Sequence, residues 1–200
     1  MPLPRVAFLL APGAGARSTH PRMQEFARLL APMGEAQAFD YPYMLAGRKR
    51  PDPLPRLVAA HRDALRRIQD GFDGSLVLAG KSMGGRVGCH VALETHVAGL
   101  ICFGYPLCGA GDRAKLRDQV LLDLRTPILF IQGTRDKLCP LDLLDKVREK
   151  MSAPSFLHVV TGGDHSLVVS KTKLKAQGVT QADVDRGIAA AVEAFLRSLA

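Results

Sequence analysis

The sequence predicts an α/β fold, in which an open, mostly parallel sheet of six strands carries helices on both faces. Two patterns support this prediction. Six short apolar runs alternate with amphipathic segments of helical periodicity. The runs are nearly uninterrupted, as is typical of strands buried on both faces, and the alternation is typical of βαβ units. The chain has 200 residues, 47% of them hydrophobic, which suits a single domain over residues 1–200.

The predicted strands and helices follow one another along the whole chain. The strands lie at residues 6–11, 36–41, 75–79, 98–103, 127–132 and 156–160. The helices lie at residues 21–31, 54–70, 84–95, 113–122, 141–151 and 181–199. Residues 41–55 are rich in proline, glycine and arginine. They predict a long surface loop of the kind that often borders a binding site.

The charge pattern and the lengths of the apolar runs exclude several classes of protein. There are 27 basic and 19 acidic residues, a net charge of +8. The basic residues are scattered and no aromatic residues interleave with them, so we expect a solvated surface and no nucleic-acid partner. No apolar run approaches the ~18–20 residues of a membrane span, and the run at residues 6–11 is too short for a signal peptide. We therefore expect a cytoplasmic protein.

The four cysteines do not indicate a metal or a disulfide. They form no C-x-x-C pair and lack the spacing of zinc ligands. We expect reduced cysteines that serve in packing. They stand at positions 89, 102, 108 and 139.

The most informative motif is Gly80-Lys81-Ser82-Met83-Gly84, which follows a predicted strand directly and precedes a predicted helix. This is G-x-S-x-G in the strand–turn–helix context of a nucleophile elbow. The glycines permit a very tight turn, which raises the Ser82 hydroxyl above the sheet and directs the N-terminus of the next helix towards it. Ser82 is therefore the candidate nucleophile, with a capping serine in an ordinary turn as the alternative.

Two nucleotide-binding interpretations compete with this one. A phosphate-binding P-loop ending at Ser82 would need glycine at position 75, which is Ser75, so it is rejected. Gly13 and Gly15 follow the first strand and Asp40 ends the second, which resembles a dinucleotide-binding fingerprint. The third position of that pattern falls on Ser18, so it is the weaker alternative.

A serine hydroxyl needs a base and an orienting carboxylate to act as a nucleophile. Of the six histidines, only His165 stands in a loop just after the last predicted strand. Asp136 follows the fifth strand in the same way. The chain order Ser82, Asp136, His165 is the Ser…Asp…His order of α/β-hydrolases.

The remaining predicted site residues would stabilise the oxyanion and line the substrate pocket. The N–H groups of Met83 and Ala14 are the predicted oxyanion donors, with Gly15 as an alternative to Ala14. Tyr41, Tyr43, Met44 and Leu107 are predicted to contact substrate, and Arg48 to face an anionic group on it.

Together these residues resemble the α/β-hydrolases, and more narrowly the small cap-less dienelactone-hydrolase-like proteins typified by the Tex30/KANL3 hydrolase-like domain. The matching segments are residues 10–15, 39–44, 47–48, 51–53, 80–86, 104–107, 133–136 and 163–166. The family usually has histidine where this chain has Pro12. The resemblance implies the strand order 2-1-3-4-5-6 and serine-hydrolase chemistry without a metal or other cofactor.

The predicted function is that of a carboxylesterase or thioesterase. It would act on a small-molecule ester or thioester through an acyl-enzyme on Ser82, with His165 as general base and Asp136 as its orienter. The alternative is a non-catalytic binding or scaffold protein on a hydrolase fold. Reactivity of Ser82 discriminates between the two.

Overall fold

The main sheet has six strands, all paired in parallel. The computed structural model describes residues 5–109 and 112–199. Its strands are β1 Val6–Ala11, β2 Glu35–Ala38, β3 Ser75–Lys81, β4 Gly99–Phe103, β7 Ile128–Gly133 and β8 Ser155–Val160, while β5 (Cys108–Gly109) and β6 (Asp112–Leu116) form a separate hairpin. The order across the sheet is β2-β1-β3-β4-β7-β8.

Eight α-helices connect and cover the strands in the described residues. They are α1 Pro21–Leu30, α2 Pro42–Leu45, α3 Leu54–Gln69, α4 Met83–Ala92, α5 Gln119–Asp123, α6 Leu141–Arg148, α7 Lys171–Gln177 and α8 Gln181–Ser198. Among these residues, no helix combines the length and the apolar character that crossing a membrane requires.

The predicted α/β class is confirmed, because side chains alternate between two hydrophobic clusters on the two faces of the sheet. On β1, Ala7 and Leu9 pack with residues of α3, α4, α5 and α6, whereas Phe8 and Leu10 pack with residues of α1 and α8. Strands β1, β4 and β7 are buried along their whole length. The four cysteines are buried free thiols.

The predicted helix at residues 113–122 is wrong over its first half. Residues Asp112–Leu116 form strand β6, which pairs antiparallel with β5 (Cys108–Gly109) in a separate hairpin. Only Val120 and Leu121 of the later helix α5 are buried. Four of the five residues of β6 are exposed, so this segment lacks the apolar stripe that a helix would place against the sheet. This hairpin is also why the strand numbers differ from the predicted 2-1-3-4-5-6.

The edge strands differ from the prediction as well. Strand β2 ends at Ala38, three residues before the predicted end, and only one of its four residues is even partly buried. An edge strand has a neighbour on one side only, so it ends where the chain finds other partners. Here Asp40 accepts a hydrogen bond from the backbone N–H of Ser18 at 2.6 Å.

Two helices were not predicted from the sequence. Helix α2 begins at Pro42 within the predicted loop, and α7 lies between β8 and α8.

All six strands of the main sheet run in the same direction, so their carboxyl ends meet at one edge. That edge is where open α/β sheets bind their ligands. The turns after β1, β3, β7 and β8 bring together the loops considered next.

Candidate active site

Ser82 lies in a strained turn between β3 and α4, with φ 50° and ψ −115°. Glycine is required on both sides because a Cβ atom at Gly80 would lie 2.4 Å from the carbonyl carbon of Gly84. A Cβ atom at Gly84 would lie 2.4 Å from the carbonyl oxygen of Ala11 on β1. Real Cβ atoms do not approach backbone so closely, so the motif packs strand, turn and helix together only with glycines.

Two hydrogen bonds join Ser82, His165 and Asp136 in one chain. The Ser82 Oγ lies 2.8 Å from His165 Nε2, and His165 Nδ1 lies 2.7 Å from Asp136 Oδ2. An ionised Asp136 can only accept, so Nδ1 carries the proton and Nε2 accepts from the Ser82 hydroxyl. Asp136 is 4% exposed, which keeps water from competing for its oxygens. The structure thus brings together three residues from the turns after β3, β7 and β8.

Gln132 holds the Asp136 carboxylate by a hydrogen bond from strand β7. The sequence analysis did not predict this residue. Its Nε2 donates to Asp136 Oδ2 at 2.5 Å, while its Oε1 accepts from the backbone N–H of Tyr105 at 3.1 Å. The backbone N–H of Leu138 donates to the other oxygen, Oδ1, at 2.8 Å. The available signal in the sequence was a polar residue within an otherwise apolar run, and the structure buries that residue fully in β7.

The loop that carries His165 is held by its own backbone and by Arg22 of α1. Asp164 Oδ1 accepts from the N–H groups of Ser166 and Val168, at 2.7 and 3.0 Å. Arg22, which is 7% exposed, donates to the carbonyls of Ser166 and Leu167. The same guanidinium binds Asp185 of α8 in a bidentate pair at 2.8 and 2.9 Å. Sequence reasoning missed Arg22 too, since it lies on a helix remote in sequence from His165.

The predicted oxyanion donors lie at the start of α4 and in the loop after β1, both next to Ser82. Met83 is the first residue of α4, where backbone N–H groups have no acceptor within the helix. A Cβ atom at Gly13 would lie 3.5 Å from Ser82 Cβ, so the loop after β1 packs directly against the serine. The carbonyl of Ala14 in this loop accepts from the Tyr43 hydroxyl at 3.0 Å, which restrains the peptide between Ala14 and Gly15.

A depression of about 310 Å³ opens beside Ser82 and His165. The loop after β1, the start of α1 and the His165 loop surround it. Its lining residues are Gly13, Ala14, Gly15, Ala16, His20, Met23, Lys81, Ser82, Leu138, His165 and Ser166. Burial lowers the pKa of the Lys81 ammonium, although Asp136 and Asp164 partly oppose that shift.

The residues predicted to contact substrate do not line this depression. Tyr41, Tyr43 and Met44 are buried in a third hydrophobic cluster, which includes Leu57 of α3. Leu107 is buried in the cluster under the sheet face that α4 covers. For Tyr43 and Met44 the difference follows from helix α2, whose buried side these two residues form. Burial raises the pKa of Tyr43 to about 12, with Asp52 and Asp40 adding smaller contributions.

Arg48, predicted to face an anionic group on the substrate, lies outside this depression as well. Its guanidinium binds both oxygens of Asp52, at 2.8 and 3.1 Å, on a surface outside the Ser82 depression. This ion pair lowers the pKa of Asp52. The Arg48 guanidinium therefore has a carboxylate partner within the protein.

In the dinucleotide-binding alternative Asp40 would bind the ribose, but both of its carboxylate oxygens accept hydrogen bonds from nearby residues. One oxygen of Asp40 accepts from the Ser18 N–H and the other from Arg17 Nε, at 2.6 and 3.0 Å. Both partners lie in the loop that follows Gly15, so Asp40 fixes that loop in place.

Comparison with known protein families decides between a dinucleotide-binding fold and the α/β-hydrolase fold. The family model described as an alpha/beta hydrolase domain matches residues 4–197. The chain belongs to the α/β-hydrolase family. This confirms the resemblance noted in the sequence.

Solved structures agree with this assignment of the fold. An alpha-beta serine hydrolase homologue from Coxiella burnetii superposes with a TM-score of 0.70 at 20% identity, covering 98% of this chain and 85% of that one. A lid-less α/β serine hydrolase from Xanthomonas campestris gives 0.70 at 18% identity, covering 93% and 82%. An esterase domain from Rhodothermus marinus gives 0.68 at 16% identity, covering 96% and 86%.

Proposed function

We propose that this α/β-hydrolase-family protein is a serine hydrolase that cleaves a small ester or thioester through an acyl-enzyme on Ser82. The observation that carries this proposal is the hydrogen-bonded chain from Ser82 Oγ through His165 to Asp136. The strained φ of Ser82 adds support, since such strain in a folded protein is concentrated at functional sites.

In the first half of the reaction, His165 Nε2 takes the hydroxyl proton while Ser82 Oγ attacks the carbonyl carbon of the substrate. The N–H groups of Met83 and Ala14 donate to the oxyanion of the tetrahedral intermediate. The intermediate collapses when the bond to the leaving group breaks and His165 gives its proton to that group. The leaving alcohol or thiol departs, and the acyl group remains on Ser82.

In the second half, His165 removes a proton from water, which attacks the acyl-enzyme. The second tetrahedral intermediate collapses when the bond between Ser82 Oγ and the acyl carbon breaks. His165 gives its proton to Ser82 Oγ, and the carboxylic acid is released. Asp136 stays ionised throughout, because its task is to orient the imidazole and stabilise the imidazolium. Gln132 and the Leu138 N–H hold the carboxylate in that orientation.

The shape of the site favours a small substrate. The depression holds about 310 Å³, near the lower limit of pockets that bind small molecules.

The four free, buried thiols are typical of a reducing compartment, which supports a cytoplasmic location. The R. marinus esterase domain supports an ester as substrate by analogy only.

Labelling with a fluorophosphonate probe tests this proposal. We expect the folded protein to label at Ser82, as shown by mapping the modified peptide, and Ser82→Ala to lose the label. The exposed serine variant Ser152→Ala is the matched control and should label as the unmodified protein does. Hydrolysis of 4-nitrophenyl esters and acyl thioesters then identifies the preferred bond.

Absence of labelling in folded protein would overturn the proposal. The alternative, a non-catalytic binding or scaffold protein on a hydrolase fold, would then take its place. Labelling at Ser82 together with loss of label in His165→Ala would exclude that alternative.

A further inference from the structure

Lys81 lies immediately before the candidate nucleophile and lines the same depression. Side chains alternate along β3, and Ala79, two residues earlier, packs on the sheet face covered by α1 and α8. Lys81 therefore projects towards α1, where Met23 and His20 also line the depression. Its Cδ would lie 3.8 Å from a Cβ atom placed on Gly13, so the aliphatic chain runs beside the loop after β1.

The ammonium of Lys81 has no partner within residues 5–109 and 112–199. No side-chain hydrogen bond and no ion pair within 4.0 Å joins it to any of these residues. The two nearby carboxylates are already engaged. Asp136 accepts from Gln132, Leu138 and His165, and Asp164 accepts from the backbone of its own loop.

The surroundings of this ammonium favour an anion. Lys81 is partly buried and its ammonium donates to none of the described residues, so an anionic group that enters the depression would gain a charge-assisted hydrogen bond from it. The N-terminus of α4, which begins directly after Ser82, adds a positive partial charge on the same side. Arg22, whose charge also acts on Lys81, is already paired with Asp185.

We propose that Lys81 forms an anion subsite, so that the substrate of the proposed hydrolase carries a carboxylate or phosphate a few bonds from the scissile carbonyl. The inference rests on the proposed function and names the substrate class of that same site. Lys81 thus takes the role that the sequence assigned to Arg48, whose guanidinium is held by Asp52.

Matched ester pairs test the subsite, one pair for each side of the scissile bond. On the acyl side, mono-4-nitrophenyl glutarate is compared with 4-nitrophenyl pentanoate. On the leaving-group side, 3-acetoxybenzoate is compared with 3-methylphenyl acetate. The readout is the ratio of kcat/KM for the anionic ester to kcat/KM for its neutral partner, so that general effects on catalysis cancel.

We expect the unmodified protein to prefer the anionic ester in at least one pair, by roughly 10- to 100-fold, the range of a charge-assisted hydrogen bond. Lys81→Met, which keeps the length of the side chain, should abolish that preference, and Lys81→Arg should keep most of it. Lys146→Met is the control, because it removes one positive charge from an exposed position on α6. Its ratio should match that of the unmodified protein.

The outcomes separate failure of the subsite from failure of the proposed function. Equal hydrolysis of both members of each pair, with normal labelling of Ser82, would overturn the subsite alone. An unchanged ratio in Lys81→Met would do the same, and Lys81→Gln provides a second variant if the methionine variant does not fold. Absence of both labelling and hydrolysis would overturn the two proposals together.

Discussion

The side-chain amide of Gln132 donates to Oδ2 of Asp136, the same oxygen that accepts from Nδ1 of His165. The orientation of the amide follows from its other contact. The backbone N–H of Tyr105 can only donate, so the amide oxygen of Gln132 faces Tyr105 and its NH₂ group faces Asp136. A residue within strand β7 therefore fixes the rotamer of the carboxylate that orients the imidazole.

Replacement of Gln132 tests that role. Gln132→Met keeps the length of the side chain but leaves the Tyr105 N–H without an acceptor and Asp136 with one donor fewer. We expect kcat of ester hydrolysis to fall about tenfold and the free energy of unfolding to fall by about 1–3 kcal/mol. Steady-state kinetics and urea denaturation measure the two effects.

A surface glutamine provides the control for this variant. Gln119 is exposed and donates to Asp123 at 3.0 Å, so Gln119→Met also removes an amide–carboxylate contact. It should change neither kcat nor stability appreciably. Full activity in folded Gln132→Met would show that Asp136 keeps its orientation without the amide.

Tyr43 was predicted to contact substrate, but its hydroxyl donates to the carbonyl of Ala14 in the loop that would supply an oxyanion donor. Tyr43→Phe leaves that carbonyl without this partner. Since a net hydrogen bond contributes about 0.5–1.5 kcal/mol, we expect kcat to fall about two- to tenfold with little change in KM.

Tyr105→Phe is the matched control for Tyr43→Phe. The Tyr105 hydroxyl donates to the carbonyl of Arg117, also at 3.0 Å, and it does not reach the Ser82 depression. Both variants should lose similar stability, whereas only Tyr43→Phe should lose activity. Equal activities in the two variants would count against a role of Tyr43 in positioning the loop.

The turn at Ser82 predicts opposite effects for two glycines of the same helix. Gly84→Ala places a methyl group 2.4 Å from the Ala11 carbonyl oxygen, so we expect loss of more than about 3 kcal/mol of stability or failure to fold. At Gly88 the nearest atom to an added Cβ is 3.5 Å away, an ordinary contact. Gly88→Ala should be neutral or stabilise by up to about 1 kcal/mol. Thermal unfolding compares the two, and equal Tm values would contradict the geometry.

His61 predicts how stability depends on pH. Burial lowers its pKa to about 3, compared with about 6.5 when exposed, so the folded protein holds it neutral. Below pH 6.5 the unfolded chain binds this proton and the folded protein does not. The free energy of unfolding therefore falls as the pH decreases from 6.5 towards 3, by up to about 1.4 kcal/mol per pH unit.

Urea denaturation at pH 7.5 and pH 4.5 measures this dependence. We expect His61→Asn, which keeps a polar atom near Tyr41, to lose less stability between these values than the unmodified protein does. Burial also lowers the pKa of His90 and His158, so some dependence should remain. The exposed variant His96→Asn is the control. An unchanged dependence in His61→Asn would mean that His61 is not held neutral.

Local patterns in the sequence were sufficient for most of the sheet. Central strands such as β1 and β7 are buried on both faces by helices. Their sequences are therefore nearly continuous apolar runs, and such runs predict buried strands. The edge strand β2 and the hairpin of β5 and β6 were misjudged, because partly exposed strands lack that signal.

The sequence by itself determined the α/β class and the tight turn at Ser82, because each depends on residues close together in the chain. Periodicity and the glycines at positions 80 and 84 act within one strand, turn or helix. Only the tertiary structure decided what surrounds the serine. Gln132 links Asp136 to the backbone of Tyr105 on another loop, Arg22 holds the distant His165 loop, and Tyr41 and Tyr43 are buried in the core. Such contacts depend on how separate elements pack in three dimensions, and no spacing along the chain records that.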